Sequence, residues 1–123
     1  MTQASFKFGR AGEQAAIKFL KKNGYQIIEK NFRTQAGEVD VIAEHEKVLV
    51  FVGVKTRSGS QLGHPVEALT PYKQKKIGQI ARGFLAKHNI QDRQCRFDVV
   101  SVSGDPEAAQ DWKIELIQDA FRI

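Results

Sequence analysis

Cysteine is nearly absent: Cys95 stands alone among 123 residues. No disulfide can close within the chain, and the sequence fits a reducing compartment, with the cytoplasm as the expectation. No apolar run reaches membrane-spanning length, so no membrane partner is expected. The opening stretch, MTQASFKFGR, lacks the apolar core of a signal peptide. The three histidines, His45, His64 and His88, share no metal-ligand spacing and read as surface residues. Repeats and low-complexity segments are missing too.

With 41% hydrophobic residues, the chain is long enough to bury the core of a single domain spanning residues 1–123. The net charge is +5 and the pI near 9.5, which favours an anionic partner, nucleic acid first. The positive charge is clustered: Lys18, Lys21 and Lys22; Lys30 and Arg33; Lys55 and Arg57; Lys73, Lys75 and Lys76. Taken singly, each of these clusters reads first as a solvated surface.

Ala16, Phe19 and Leu20 recur at helical spacing, which predicts a helix over residues 10–23 closed by Gly24. Short strands are expected over Tyr25–Phe32 and Glu38–Ala43, with EHEK (44–47) as a polar turn. VLVFVGV then reads as a strand apolar on both faces, hence central and covered. TRSGSQLGH (56–64) reads as a flexible polar loop. Thr70 is a helix N-cap with Pro71 at the first helical position, and Ile77, Ile80, Ala81, Phe84 and Leu85 lay an apolar stripe along that helix to about His88. Two more strands follow, RFDVVSVS (96–103) and WKIELIQ (112–118). The order predicts an α/β fold with one mixed sheet.

Three positions suggest chemistry. Glu13 falls in the first turn of the expected helix, in line with Ala16, Ile17 and Leu20. Asp40 shares a strand face with Ile42, and an acid among apolar neighbours costs energy unless it is paired or binds a cation. Lys55 ends the neighbouring strand. Carboxylates hold a hard cation such as Mg²⁺ or Mn²⁺, the cation activates water and polarises a phosphoryl group, and a lysine steadies the growing charge. Each has a bland alternative. Glu13 could answer the positive end of its helix, and Asp40 and Lys55 could form a cross-strand ion pair. Asp98 reads as structural, paired with Arg96 or Arg93. Arg33, Arg57 and Lys73 are the candidates for contact with substrate phosphates.

The segments GEQAAIKFLKKNGYQII, NFRTQAGEVDVIA, LVFVGVKTRSG, LGHPVEALTPYKQKKI and CRFDVV, in that order, resemble the YraN-type uncharacterised family. That family belongs to the restriction-endonuclease-like superfamily with its PD-(D/E)xK signature. The resemblance implies an α-β-β-β-α-β core, Asp40 as metal-binding acid, Lys55 as catalytic lysine, and Glu13 as the helix-one glutamate found also in archaeal Holliday-junction resolvases. Glu38 falls in the family's G-E-(I/V)-D stretch. The implied partner is DNA, branched DNA by analogy, and a homodimer is compatible with it.

One position departs from the pattern. Where the family has V-E-V-K, this chain has VGVK, so Gly53 replaces the second metal-binding acid. Three explanations stand open: a single-base change in a glutamate codon, a protein that keeps binding without catalysis, or a replacement carboxylate, for which Glu67 is the candidate. An inactive or weakened site is the simplest expectation. Glycine in a strand forgoes side-chain packing, and exchanging it for glutamate is expected to cost little stability when metal is present.

Overall fold

The computed structural model describes residues 3–58 and 69–123, with side chains from Lys7 onward. Helix α1 (Gln3–Lys22) leads into strands β1 (Gln26–Thr34), β2 (Gly37–His45) and β3 (Val48–Arg57). Helix α2 (Pro71–Lys87), β4 (Cys95–Ser103) and β5 (Lys113–Arg122) follow. The expected order of a helix, three strands, a helix and two strands is present, and its first six elements are the αβββαβ core. The five strands form one sheet in the order β1-β2-β3-β4-β5. All neighbours are antiparallel except β3 and β4, which run parallel. A parallel pair needs a crossover, and the segment containing α2 supplies it.

Each helix covers one face of the sheet. Ala16 and Leu20 of α1 pack with Val41, Val50, Val52 and Val100. Ile80 and Phe84 of α2 pack with Phe32, Ile42, Phe51 and Phe97 on the other side. Strand β3 is thus buried on both faces, as its unbroken apolar run requires. Phe84 anchors its layer, meeting Phe32 and Phe51 edge-on at 5.3 and 5.9 Å. The α2 start is as expected: the Thr70 hydroxyl accepts from the Lys73 N–H at 3.2 Å, with Pro71 at the first helical position.

The first helix starts earlier than its pattern suggested. Gly9 and Gly12 lower helix propensity, yet the Phe8 ring packs at a tilt against Trp112, 5.2 Å between centroids. At Gly12 the helix comes so close to β3 that a Cβ would lie 2.2 Å from Thr56 Cγ2. Packing overrides propensity here. Strand β3 also continues through Thr56 and Arg57, the first two residues of the expected polar loop, most of which lies outside the described residues. The β2–β3 turn is only Glu46 and Lys47, both at positive φ (50° and 69°), as a tight hairpin demands. Strand β5 extends past Gln118 to Arg122.

Asp98 is structural. Its fully buried carboxylate accepts from Arg96 Nε at 2.9 Å, Tyr25 Oη at 2.6 Å and the Asp119 N–H at 2.8 Å. Burial, and next Asp98 itself, push the Tyr25 hydroxyl up to about 12. Arg93 pairs with Glu44 instead. His45, expected at the surface, is a correction: it stacks on Tyr25 at 4.1 Å and lies 3.0 Å from Arg96 Nη2. His88 is exposed, and His64 lies outside the described residues.

Candidate functional site

The β2–β3 ladder runs from His45↔Val48 to Val41↔Val52. One step further, side chain replaces backbone: Asp40 Oδ2 accepts the Val54 N–H at 2.7 Å. Opposite, on β1, Asn31 takes a left-handed conformation with φ 55°, which asparagine tolerates better than most residues. Strands β2 and β3 stop pairing at Asp40, while β1 stays paired with β2 on either side of it, and a cavity opens on each face of the sheet.

On the α1 side is a cleft of about 620 Å³ lined by Glu13, Lys30, Asn31, Asp40 and Thr56, among others. On the α2 side is a groove of about 240 Å³ lined by Asp40, Gly53, Lys55, Lys73 and Lys76. Strand alternation sorts these residues. Val50 and Val52 face α1, so Val54 and Thr56 do too, while Gly53 and Lys55 follow Leu49 and Phe51 toward α2. Asp40 and Glu38 border both cavities.

Electrostatics ties the two sides together. Burial raises the Asp40 carboxyl above its ordinary value, against the pull of the Val54 N–H and the Lys55 ammonium. Glu13 is also raised, first by burial and then by the charge of Asp40, while an Asn31 hydrogen bond lowers it. The two acids therefore share one field. Glu13 lies well inside α1, not in its first turn, so the helix-end explanation fails, since that effect fades within a turn. No ion pair joins Asp40 to Lys55 among the described residues; the Val54 N–H holds Asp40 instead.

Gly53 has a packing reason. A Cβ there would meet Phe97 Cζ at 2.8 Å, and Phe97 is held in the core against Phe121 at 5.3 Å. The ring fills the space beside residue 53. The expectation that a glutamate costs little stability there is corrected: Phe97 must move first.

Of the other candidates, Arg33 binds Glu38 through Nη2 at 2.6 Å and Nε at 3.0 Å. Neither Arg33 nor Arg57 lines the cleft or the groove. Glu67 lies outside the described residues. Lys73 does line the groove, joined by Lys76 from the same basic cluster. Helical spacing held the signal, because 73, 76, 77 and 80 share the face that meets the sheet. Lys30 and Asn31 had no comparable signal.

Among the described residues, no three His, Cys, Asp or Glu side chains gather closely enough to hold a metal ion between them. Three acids line the cleft; Glu38 is engaged by Arg33, which leaves Glu13 and Asp40 to offer the oxygen chemistry that Mg²⁺ or Mn²⁺ prefers. Two such ligands fit an ion that retains water and takes its remaining oxygens from substrate phosphate.

The fold is that of a small mixed α/β protein in which Glu13, Asp40 and Lys55 border two cavities at a strand end. The sequence model described as "Uncharacterised protein family UPF0102" matches residues 12–102, and the chain belongs to that family. A UPF0102 protein of Symbiobacterium thermophilum is 46% identical over 117 residues, covering 95% of this chain and 98% of the relative. One from Prosthecochloris aestuarii is 43% identical over 116 residues, 92% and 91% respectively. One from Syntrophus aciditrophicus is 42% identical over 123 residues, covering this whole chain and 94% of the relative.

Proposed function

We propose that the protein binds DNA at this strand end, on a fold of the restriction-endonuclease-like kind, with a metal-assisted phosphodiester site reduced to two acids. One observation carries the reading: Asp40 stands between the Glu13 cleft and a groove lined by Lys55, Lys73 and Lys76. A phosphate in the groove would lie among three lysine side chains and the carboxylate, an arrangement suited to an anionic backbone.

Glu13 and Asp40 are the residues that would hold Mg²⁺ or Mn²⁺, which when bound would activate water and neutralise charge on phosphate. Lys55 contributes charge to the phosphate from the groove side and also attracts Asp40. The Val54 N–H fixes one Asp40 oxygen, and the other is the one that would meet a cation. With glycine at 53 no third acid comes from β3, so metal affinity in the free protein is weak. The cytoplasm, with its reducing conditions and nucleic acid, is the compartment this reading assumes.

A second reading, a binding module without catalysis, is favoured by Phe97 occupying the space of a residue-53 side chain. Incubation with linear, flapped and four-way DNA in Mg²⁺ or Mn²⁺ separates the two, with Asp40→Asn alongside. Slow cleavage lost in Asp40→Asn supports the reduced site. Binding with no cleavage leaves the binding module, and no binding at low salt removes both.

A further inference from the structure

Tyr72 is the most exposed large apolar residue among those described, with 69% of its surface open. An isolated exposed ring needs no explanation, but this one is not isolated. It lies in the first turn of α2, one residue before Lys73 and four before Lys76. The Lys76 ammonium stands 5.5 Å from the ring centroid. Lys76 also lines the groove with Lys73 and Lys55. Tyr72 does not itself line the groove; Lys76 links its ring to the groove that Lys73, Lys55 and Asp40 border.

We propose that Tyr72 is a stacking platform for an unpaired base of a DNA strand whose phosphates lie on Lys76, Lys73 and Lys55. This deepens the DNA-binding reading and rests on it, because it names the substrate class: DNA with unpaired bases beside the groove, not regular duplex. Lysines following the backbone and an aromatic ring receiving a base are the two components of single-strand recognition. In a blunt duplex the bases stay stacked on each other, and Tyr72 has nothing to receive. The nearby cation suits the role, since a lysine at the ring can serve phosphate and ring together.

The test is fluorescence anisotropy at low salt with labelled single-stranded DNA of about 16 nucleotides and the blunt duplex of the same sequence. Tyr72→Ala is expected to weaken single-strand binding about tenfold, the effect of losing one stacked base, and to leave duplex binding unchanged. Tyr72→Phe keeps the ring and is expected to bind the single strand as the native protein does. The ring is exposed, so thermal melts of both variants should match the native protein and confirm that folding is not the cause. Equal affinity of Tyr72→Ala and native protein for the single strand overturns the stacking role while leaving DNA binding intact. A Tyr72→Phe variant as weak as Tyr72→Ala overturns it as well. Native protein that binds neither DNA overturns this inference together with the reading beneath it.

Discussion

Asp40 faces two demands. Its backbone lies in a strand whose neighbours are Val39 and Val41, both buried, while its carboxylate borders both cavities. The protein meets the desolvation with one N–H and a lysine rather than with a full ion pair, and Glu13 adds a second acid to the same field. Both carboxyls titrate above their ordinary values in the folded state. The fold therefore holds their protons more tightly than the unfolded chain does. That stabilisation is complete below the ordinary carboxylate values, about 4, and is lost as pH rises through the raised folded values. At neutral pH the two negative charges weigh against folding. Glu13→Gln should accordingly melt higher than the native protein at pH 7, with the gain gone in strong acid, and Mg²⁺ should raise the native melting temperature at pH 7. A gain that grows as pH falls would contradict this. Gly53→Glu is predicted to lose about 1–3 kcal/mol in urea denaturation without metal, the ordinary penalty for overpacking, with Phe97→Leu in the same chain restoring part of it. At this scale sequence shows residue types and spacing only. Asp40, Lys55 and Glu13 were legible as a group, whereas the Phe97 ring at Gly53 depends on a contact between two strands and leaves no mark in either segment alone.

Helix α2 holds two of the groove's three lysines, so its position matters to the site as well as to the core. Thr70→Ala removes the hydroxyl that accepts the Lys73 N–H and should cost about 1 kcal/mol, read as a shift of the urea midpoint, with weaker DNA binding because Lys73 and Lys76 lie in the first turns. Phe84→Ala is predicted to cost about 3–5 kcal/mol, since Phe84 is 2% exposed and touches both Phe32 and Phe51. Elements like these were readable because their signals are local: a hydroxyl before proline, an apolar stripe at helical spacing, an unbroken apolar run. The start of α1 was not readable. The turn that carries Phe8 is held by Trp112, which is remote in sequence, while the glycines nearby argue locally for a break.

Across the whole molecule, the net charge of +5 becomes informative only once the fold distributes it. Arg33 is held by Glu38, and Arg93 by Glu44. Lys55, Lys73 and Lys76 come from two different elements and converge beside Asp40. The sequence displayed four basic clusters of similar appearance, and the sheet and α2 decide which of them meet. The central claim is that these three lysines carry the contact with the DNA backbone. The most direct measurement is the salt dependence of single-stranded DNA binding, native protein beside the Lys55→Ala/Lys73→Ala/Lys76→Ala variant. Loss of three phosphate contacts should flatten the slope of log affinity against log salt by about 2, roughly 0.7 per contact, and weaken binding at low salt. An unchanged slope, or a native protein that does not bind DNA at low salt, would contradict the account.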